Sequence, residues 1–303
     1  MRWAAQVGGV VAAAVVLLGT GCAVQGSSRQ DTARKWWTHA QAVIQIGNQV
    51  RRDYATLAAR GGASSANEQL IRRVLSETSE ETMDAEALSE KPAEIAPIRA
   101  DLVSISLHEH NAFTLYAGGA PARDLRLLDK GDREWEAAGG AAMNLVIDMP
   151  RLASAVGHTL TSQERQIIAF VKVEARLRPQ ALAAAAASRA ALNAYLIHRD
   201  TPQTRKLFAA AARDYSTLIK RAQNQFAPLV RVATPALSRV ESQTLVAYND
   251  ENKAHHEIAV ALDHGSPSAV QHGFHDLVST GGDLVAISQS VDKLVARLDP
   301  CGC

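Results

Sequence analysis

Aromatic side chains are scarce in this chain of 303 residues: they make up 5% of it, although 47% of the residues are hydrophobic. The apolar content is therefore mostly Ala, Leu and Val, a mixture that favours closely approaching helices over a β-sandwich built on rings and β-branched residues. An excess of either charge is also missing, with 32 Lys and Arg against 31 Asp and Glu. A protein that grips a phosphate backbone normally carries a strong positive field, so nucleic acid is not an expected partner. Only three cysteines are present, which excludes a disulfide-dense scaffold, and none of them has zinc-finger spacing. Glycine-rich phosphate loops and nucleophile elbows are absent too, so the sequence points to no enzyme. The apolar run Val10 to Leu18 is nine residues long. A membrane-spanning helix needs about 20, so this run is too short to be one.

What this run does have is the right neighbours. Arg2 gives a positive start, the apolar stretch follows, and Leu18-Gly19-Thr20-Gly21-Cys22 brings small residues before a single cysteine. This three-part segment resembles a bacterial lipoprotein signal, with LGTGC in the place of the lipobox. The resemblance implies removal of residues 1–21 as a signal peptide, acylation of Cys22, and a lipidated tether over 22–28. It also implies anchorage to the membrane through the N-terminal lipid. In lipoproteins of Gram-negative bacteria an Asp after the cysteine is associated with retention at the inner membrane. Here Ala23 follows, which implies the outer membrane, facing the periplasm, if the organism has one. Cleavage before Cys22 also removes Arg2 and leaves 31 cations against 31 anions. Membrane affinity would then rest on the acyl chains, of which two or more anchor stably. The remaining cysteines, Cys301 and Cys303, lie in a tail over 299–303 and form an even pair that an oxidising compartment could bridge. The alternative is a frayed tail without a role.

Between these ends the prolines mark helix starts, because Pro at the first helical position forfeits no hydrogen bond. Thr201-Pro202, Thr234-Pro235 and Ser266-Pro267 pair a hydroxyl N-cap with Pro, Ala96-Pro97 and Ala120-Pro121 are weaker versions, and Thr161-Ser162-Gln163-Glu164 is a capping box. Apolar residues step by four and three through Trp36, Ala40, Val43, Gly47, Val50, Tyr54 and Leu57, and again through Val270, Phe274, Leu277, Gly281, Leu284 and Ile287. The pattern predicts an all-α fold of about eight helices, over 29–60, 65–90, 96–117, 121–157, 161–199, 202–226, 235–263 and 267–298. Gly61-Gly62 and Gly118-Gly119 are expected to be loops, and Pro150 and Pro179 to end or kink their helices. Short links group the helices into two antiparallel units resembling four-helix bundles, 29–157 and 161–298. YAGGAP, residues 116–121, and LDHGSP, residues 262–267, would then be equivalent hairpin ends, through either duplication or convergence on turn chemistry.

The least ordinary feature is a cluster of five histidines: His255, His256, His264, His272 and His275. His255 falls on the inward seam after Leu245, Tyr248 and Glu251, and Glu251 lies one turn before it on the same face. If Gly265 and Ser266 form the hairpin tip, His256 and His275 stand at one height. Glu251, His255, His256 and His275 are thus the candidate ligands for a transition metal or haem. Helix phase instead places His272 and His275 on a flank, where histidines are solvated. No cofactor is the primary expectation. In the first unit Glu109 sits on the seam of Ile98, Leu102, Ile105 and Ala112. Polar seam positions in both units imply either a ligand cavity or a structural hydrogen-bond layer. Charge is segregated as well: Glu77, Glu80, Glu81, Asp84, Glu86, Glu90 and Glu94 against Lys91, and Arg199, Arg205, Lys206, Arg213, Lys220 and Arg221 against Asp200 and Asp214. These are either solvated faces or docking faces for a protein partner. The expected function is a non-catalytic scaffold, adaptor or sensor tethered to the cell envelope, and the alternative is a small-ligand, metal or haem binder.

Overall fold

The computed structural model describes residues 28–60, 62–90, 93–230, 233–295 and 298. Cys22, Cys301, Cys303, the signal segment and all of the tether but Ser28 lie outside the described residues. The fold is all-α, with helices α1 (Ser28–Ala59), α2 (Glu68–Ala87), α3 (Ala96–Ala122), α4 (Leu125–Val156), α5 (Ser162–His198), α6 (Pro202–Val230), α7 (Pro235–Asp263) and α8 (Pro267–Val295). Single 3-10 turns precede α2 and α3, at Ser65–Asn67 and Ala93–Ile95.

Local chemistry sets most of the boundaries. The Thr161 hydroxyl accepts from the Glu164 backbone N–H at 3.2 Å, while the Glu164 carboxylate accepts from Thr161 N–H at 2.6 Å, a reciprocal capping box. Thr201 and Thr234 accept from the amides of Thr204 and Leu237, and Pro202 and Pro235 follow them as the first helical residues.

Three proline and glycine expectations are corrected. Pro121 does not open α4 but lies in the last turn of α3, and Gly118-Gly119 are helical. The break falls at Arg123, in the left-handed region with φ 53°, and Asp124 caps α4 by accepting from the Arg126 amide at 2.9 Å. YAGGAP is therefore the end of a helix, whereas LDHGSP contains the true α7–α8 turn, with Gly265 at φ +61°. Gly119 lets α4 start close by: a Cβ there would lie 3.0 Å from Leu127 Cβ and from Leu128 Cδ2. Pro150 and Pro179 end neither α4 nor α5. An interior Pro costs about 3 kcal/mol. The turns around both prolines are buried through Met149, Leu152, Leu177 and Ala181, and packing of an apolar face is what stabilises a helix of this length.

The helices form two compact units that divide inside α5, between Lys172 and Val173, rather than in the link at 158–160. In the unit of α1–α4, each helix packs on the next and α1 also packs on α4. Short links make sequential helices antiparallel, as in an up-and-down bundle. Its rings gather at one place, with Tyr54 stacked on Trp135 at 3.8 Å and Phe113 edge-on to Trp135 and Tyr116. Gly131 lets α3 and α4 approach here, since its Cβ would fall 2.5 Å from the Tyr116 ring. In the second unit Ala191 and Leu192 of α5, Phe208 of α6, Ala254, Ile258 and Leu262 of α7, and Val270 and Leu277 of α8 form one apolar cluster.

Candidate functional site

Glu251 and His255 both face the interior of the second unit, 1% and 0% exposed. One helical turn separates them on α7, so the imidazole lies back over the preceding turn, and its Nδ1 is 2.7 Å from the Glu251 carbonyl oxygen. A carbonyl only accepts, so Nδ1 carries the proton and donates, and Nε2 is left as an acceptor. The Ser188 hydroxyl of α5 fills that role by donating to Nε2 at 2.8 Å. Tyr215 of α6 stacks on the imidazole with ring centres 5.5 Å apart, and Phe208 lies 6.1 Å away.

Burial decides the charge state of this layer. It pushes His255 down to about 4, with the Glu251 carbonyl bond partly opposing the shift. It pushes Glu251 up to about 8. At neutral pH the layer holds a neutral imidazole beside a protonated carboxyl. The Glu251 carboxyl approaches Nδ1 only to 3.5 Å, and its Oε2 has no hydrogen-bond partner among the described residues. Nearby, burial raises Glu174 to about 7, with Arg178 opposing, and raises Tyr248, helped by Glu174.

The hydrogen-bond order Ser188, His255, Glu251 is that of a nucleophile, a base and an orienting group. Its surroundings differ from those of a catalytic site. Ser188 is fully buried in the middle of α5, where backbone amides are committed to the helix and offer no oxyanion donors. The imidazole is held by a carbonyl rather than by a carboxylate. What the arrangement can do is join α5 to α7 through a directional bond.

The other two candidate ligands lie outside this layer. His256 is exposed on α7, and the His275 side chain, 81% exposed on α8, has Nδ1 3.6 Å from Asp276 Oδ1. His272 reaches the same carboxylate at 3.6 Å, and His264 is exposed at the end of α7. Among the described residues, no group of three or more His, Cys, Asp or Glu side chains is placed to hold a metal ion.

The first unit has its own polar layer. Glu109 of α3 is 1% exposed and accepts from Arg51 Nε of α1 at 2.9 Å. Arg51 also reaches Asn48 Oδ1 at 3.4 Å. The second carboxyl of the layer is Glu81 of α2, 2% exposed and close enough to Glu109 for the two charges to repel. Open grooves of about 530 and 670 Å³ lie elsewhere in this unit, one along Trp36, His39 and Asp84 and one beside Arg29, Glu94 and Arg151.

Glu81 and Ser188 were hidden from sequence reasoning, although a signal existed for each. Ile71, Val74, Thr78, Glu81, Ala85 and Leu88 step by three and four and are all buried, as are Leu177, Ala181, Ala184, Ser188 and Ala191. In the first case the surrounding run of acidic residues masked the phase. In the second a run of alanines left every face apolar. No known protein family, curated protein or solved structure matches this chain.

Proposed function

We propose that this chain is a lipid-anchored helical module of the cell envelope that acts without catalysis, as a scaffold, adaptor or sensor. The observation that carries the address is the segment Arg2, Val10 to Leu18 and LGTGC, which supports acylation of Cys22 and, with Ala23 next, the outer membrane of a Gram-negative cell. No helix among the described residues is long and apolar enough to cross a membrane. A non-catalytic role is supported by the commitment of both imidazole nitrogens of His255, Nδ1 to the Glu251 carbonyl of its own helix and Nε2 to Ser188 of α5. Protein partners would meet the charged helix faces: Lys206, Arg213, Lys220 and Arg221 are exposed on α6, and Glu80, Asp84 and Glu86 on α2.

Mass spectrometry of the protein purified from its membrane fraction tests the address. The expected result is a mature chain that begins at acylated Cys22, together with release of Cys22→Ala from the membrane. An unmodified N-terminus at another residue overturns it. A second reading, a small-ligand, metal or haem binder using Glu251, His255 and His256, is favoured by the unpartnered Glu251 Oε2. Calorimetric titration with zinc and with haem separates the two readings. Stoichiometric binding lost in His255→Ala selects the second.

A further inference from the structure

The buried layer of the first unit contains two carboxyls and one guanidinium. Arg51 is 9% exposed in its side chain and Glu109 2%, and Glu81 is 2% exposed as a residue. Two ionised carboxylates against one guanidinium would leave a net negative charge in the core, where an uncompensated charge is expensive. Nor would the hydrogen bonds close, because neither Glu81 Oε2 nor Glu109 Oε2 meets a donor among the described residues. One added proton solves both problems. It neutralises the layer and supplies the donor between two carboxyls that are otherwise acceptors only.

We propose that Glu81 and Glu109 share one buried proton at neutral pH, and that this proton is what holds α2 against α1 and α3. Arg51 selects where it resides. Burial raises Glu109 as well, but Arg51 Nε donates to Glu109 Oε1 and opposes that rise, so Glu81 is the protonated partner and donates to Glu109. Burial raises Glu81 well above the usual carboxyl range, with the Glu109 charge adding to the effect and Arg51 opposing it. Gly47 of α1 makes room for the arrangement, since a Cβ at that position would collide with Glu81 Oε1.

The surrounding charges are otherwise occupied. On α2, Glu77 is one turn before Glu81 and pairs with Arg73, which also holds Asp53 of α1. On α3, His110 Nδ1 is 3.4 Å from the hydroxyls of Thr78 and Ser79. On α4, Glu136 is buried and Glu134 is 2.7 Å from His108 of α3. When alkali removes the shared proton to water, two carboxylates face one guanidinium and α2 is the helix that loses its hold.

The proposal is tested on the full chain by following the unfolding equilibrium between about pH 6 and 8 in wild type and in Glu81→Gln. The folded wild type keeps a proton that the unfolded chain has released. Its unfolding constant should therefore rise about tenfold per pH unit more steeply than that of the variant. Carbon-13 NMR of the wild-type glutamate carboxyls, assigned through the backbone, needs no variant and decides the matter if Glu81→Gln does not fold. It should show the Glu81 carboxyl still protonated at pH 7 and Glu109 ionised. Equal pH slopes for the two proteins, or both carboxyls titrating at ordinary values near 4.5, overturn the proposal.

Discussion

The two units solve the same packing problem with opposite electrostatics. In α1–α4 the buried polar layer keeps a full charge pair, Arg51 with Glu109, and adds Glu81. In the second unit the layer is uncharged at neutral pH, because burial lowers His255 and keeps a proton on Glu251. A charged layer depends on every member, since each ion is balanced only by the others. A neutral layer loses only a hydrogen bond when one member goes. The difference implies that the first unit is brittle toward substitution and the second tolerant.

Arg51→Leu breaks the comparison most directly. Removing one member of a buried ion pair costs about 3–5 kcal/mol. Denaturant unfolding at pH 8 should show a loss of that size. At pH 5 the loss should be smaller, because Glu109 can then take up a proton and remain buried as a neutral acid. A loss below about 1 kcal/mol at pH 8 would mean that the first layer is no more charged than the second.

The next effect is the pH dependence of the second layer. Glu251 is raised from 4.5 to about 8 in the folded chain. Between those values the folded state holds a proton that the unfolded state has lost, so stability is highest at the acid end and falls as pH rises. The slope is about 1.4 kcal/mol per pH unit while the window lasts. Glu251→Gln should lower the slope by about that amount in thermal melts from pH 5 to 8, while the contributions of Glu81, Glu174 and Asp101 stay in place. A curve that keeps its slope would place the titrating group elsewhere.

How much of this was legible in the sequence follows from the kind of signal each feature leaves. Helix existence and order were legible, because Thr and Pro pairs fix starts locally and period-3.6 apolar steps fix faces; the starts of α6, α7 and α8 fall at Pro202, Pro235 and Pro267 as expected. Pro121 misled, because a proline penalty is local while the packing that outweighs it comes from distant residues. Glu251, His255 and Glu109 were legible as inward positions. Their partners were not. Nothing in the spacing of Ser188 and His255, 67 residues apart, or of Arg51 and Glu109, 58 apart, encodes a contact between different helices. The histidine cluster showed the opposite failure, since closeness in sequence brought exposed His256 and His275 into a set with buried His255.

The smallest expected effect is the most discriminating for the second layer. His255→Leu replaces the imidazole by an apolar side chain of similar bulk, against the rings of Tyr215 and Phe208. It removes one hydrogen bond to Ser188 and one to the Glu251 carbonyl, but the Ser188 hydroxyl can turn back to a carbonyl of its own helix and the Glu251 carbonyl remains a helical acceptor. Replacing buried polar groups by a well-packed apolar one is close to neutral, so the change at pH 7 should lie within about 1 kcal/mol of zero. The sign of the acid response supplies a second reading. His255 is lowered from 6.5 to about 4 on folding, so the unfolded chain takes up a proton first and wild-type stability falls as pH drops through that interval. His255→Leu should lack this part of the acid loss while keeping the Glu251 response. Thermal melts at pH 4.5, 5.5 and 7 compare the two proteins. A variant destabilised by more than about 3 kcal/mol at pH 7 would show that the imidazole pairs with an ionised partner, and the contrast between the two units would disappear.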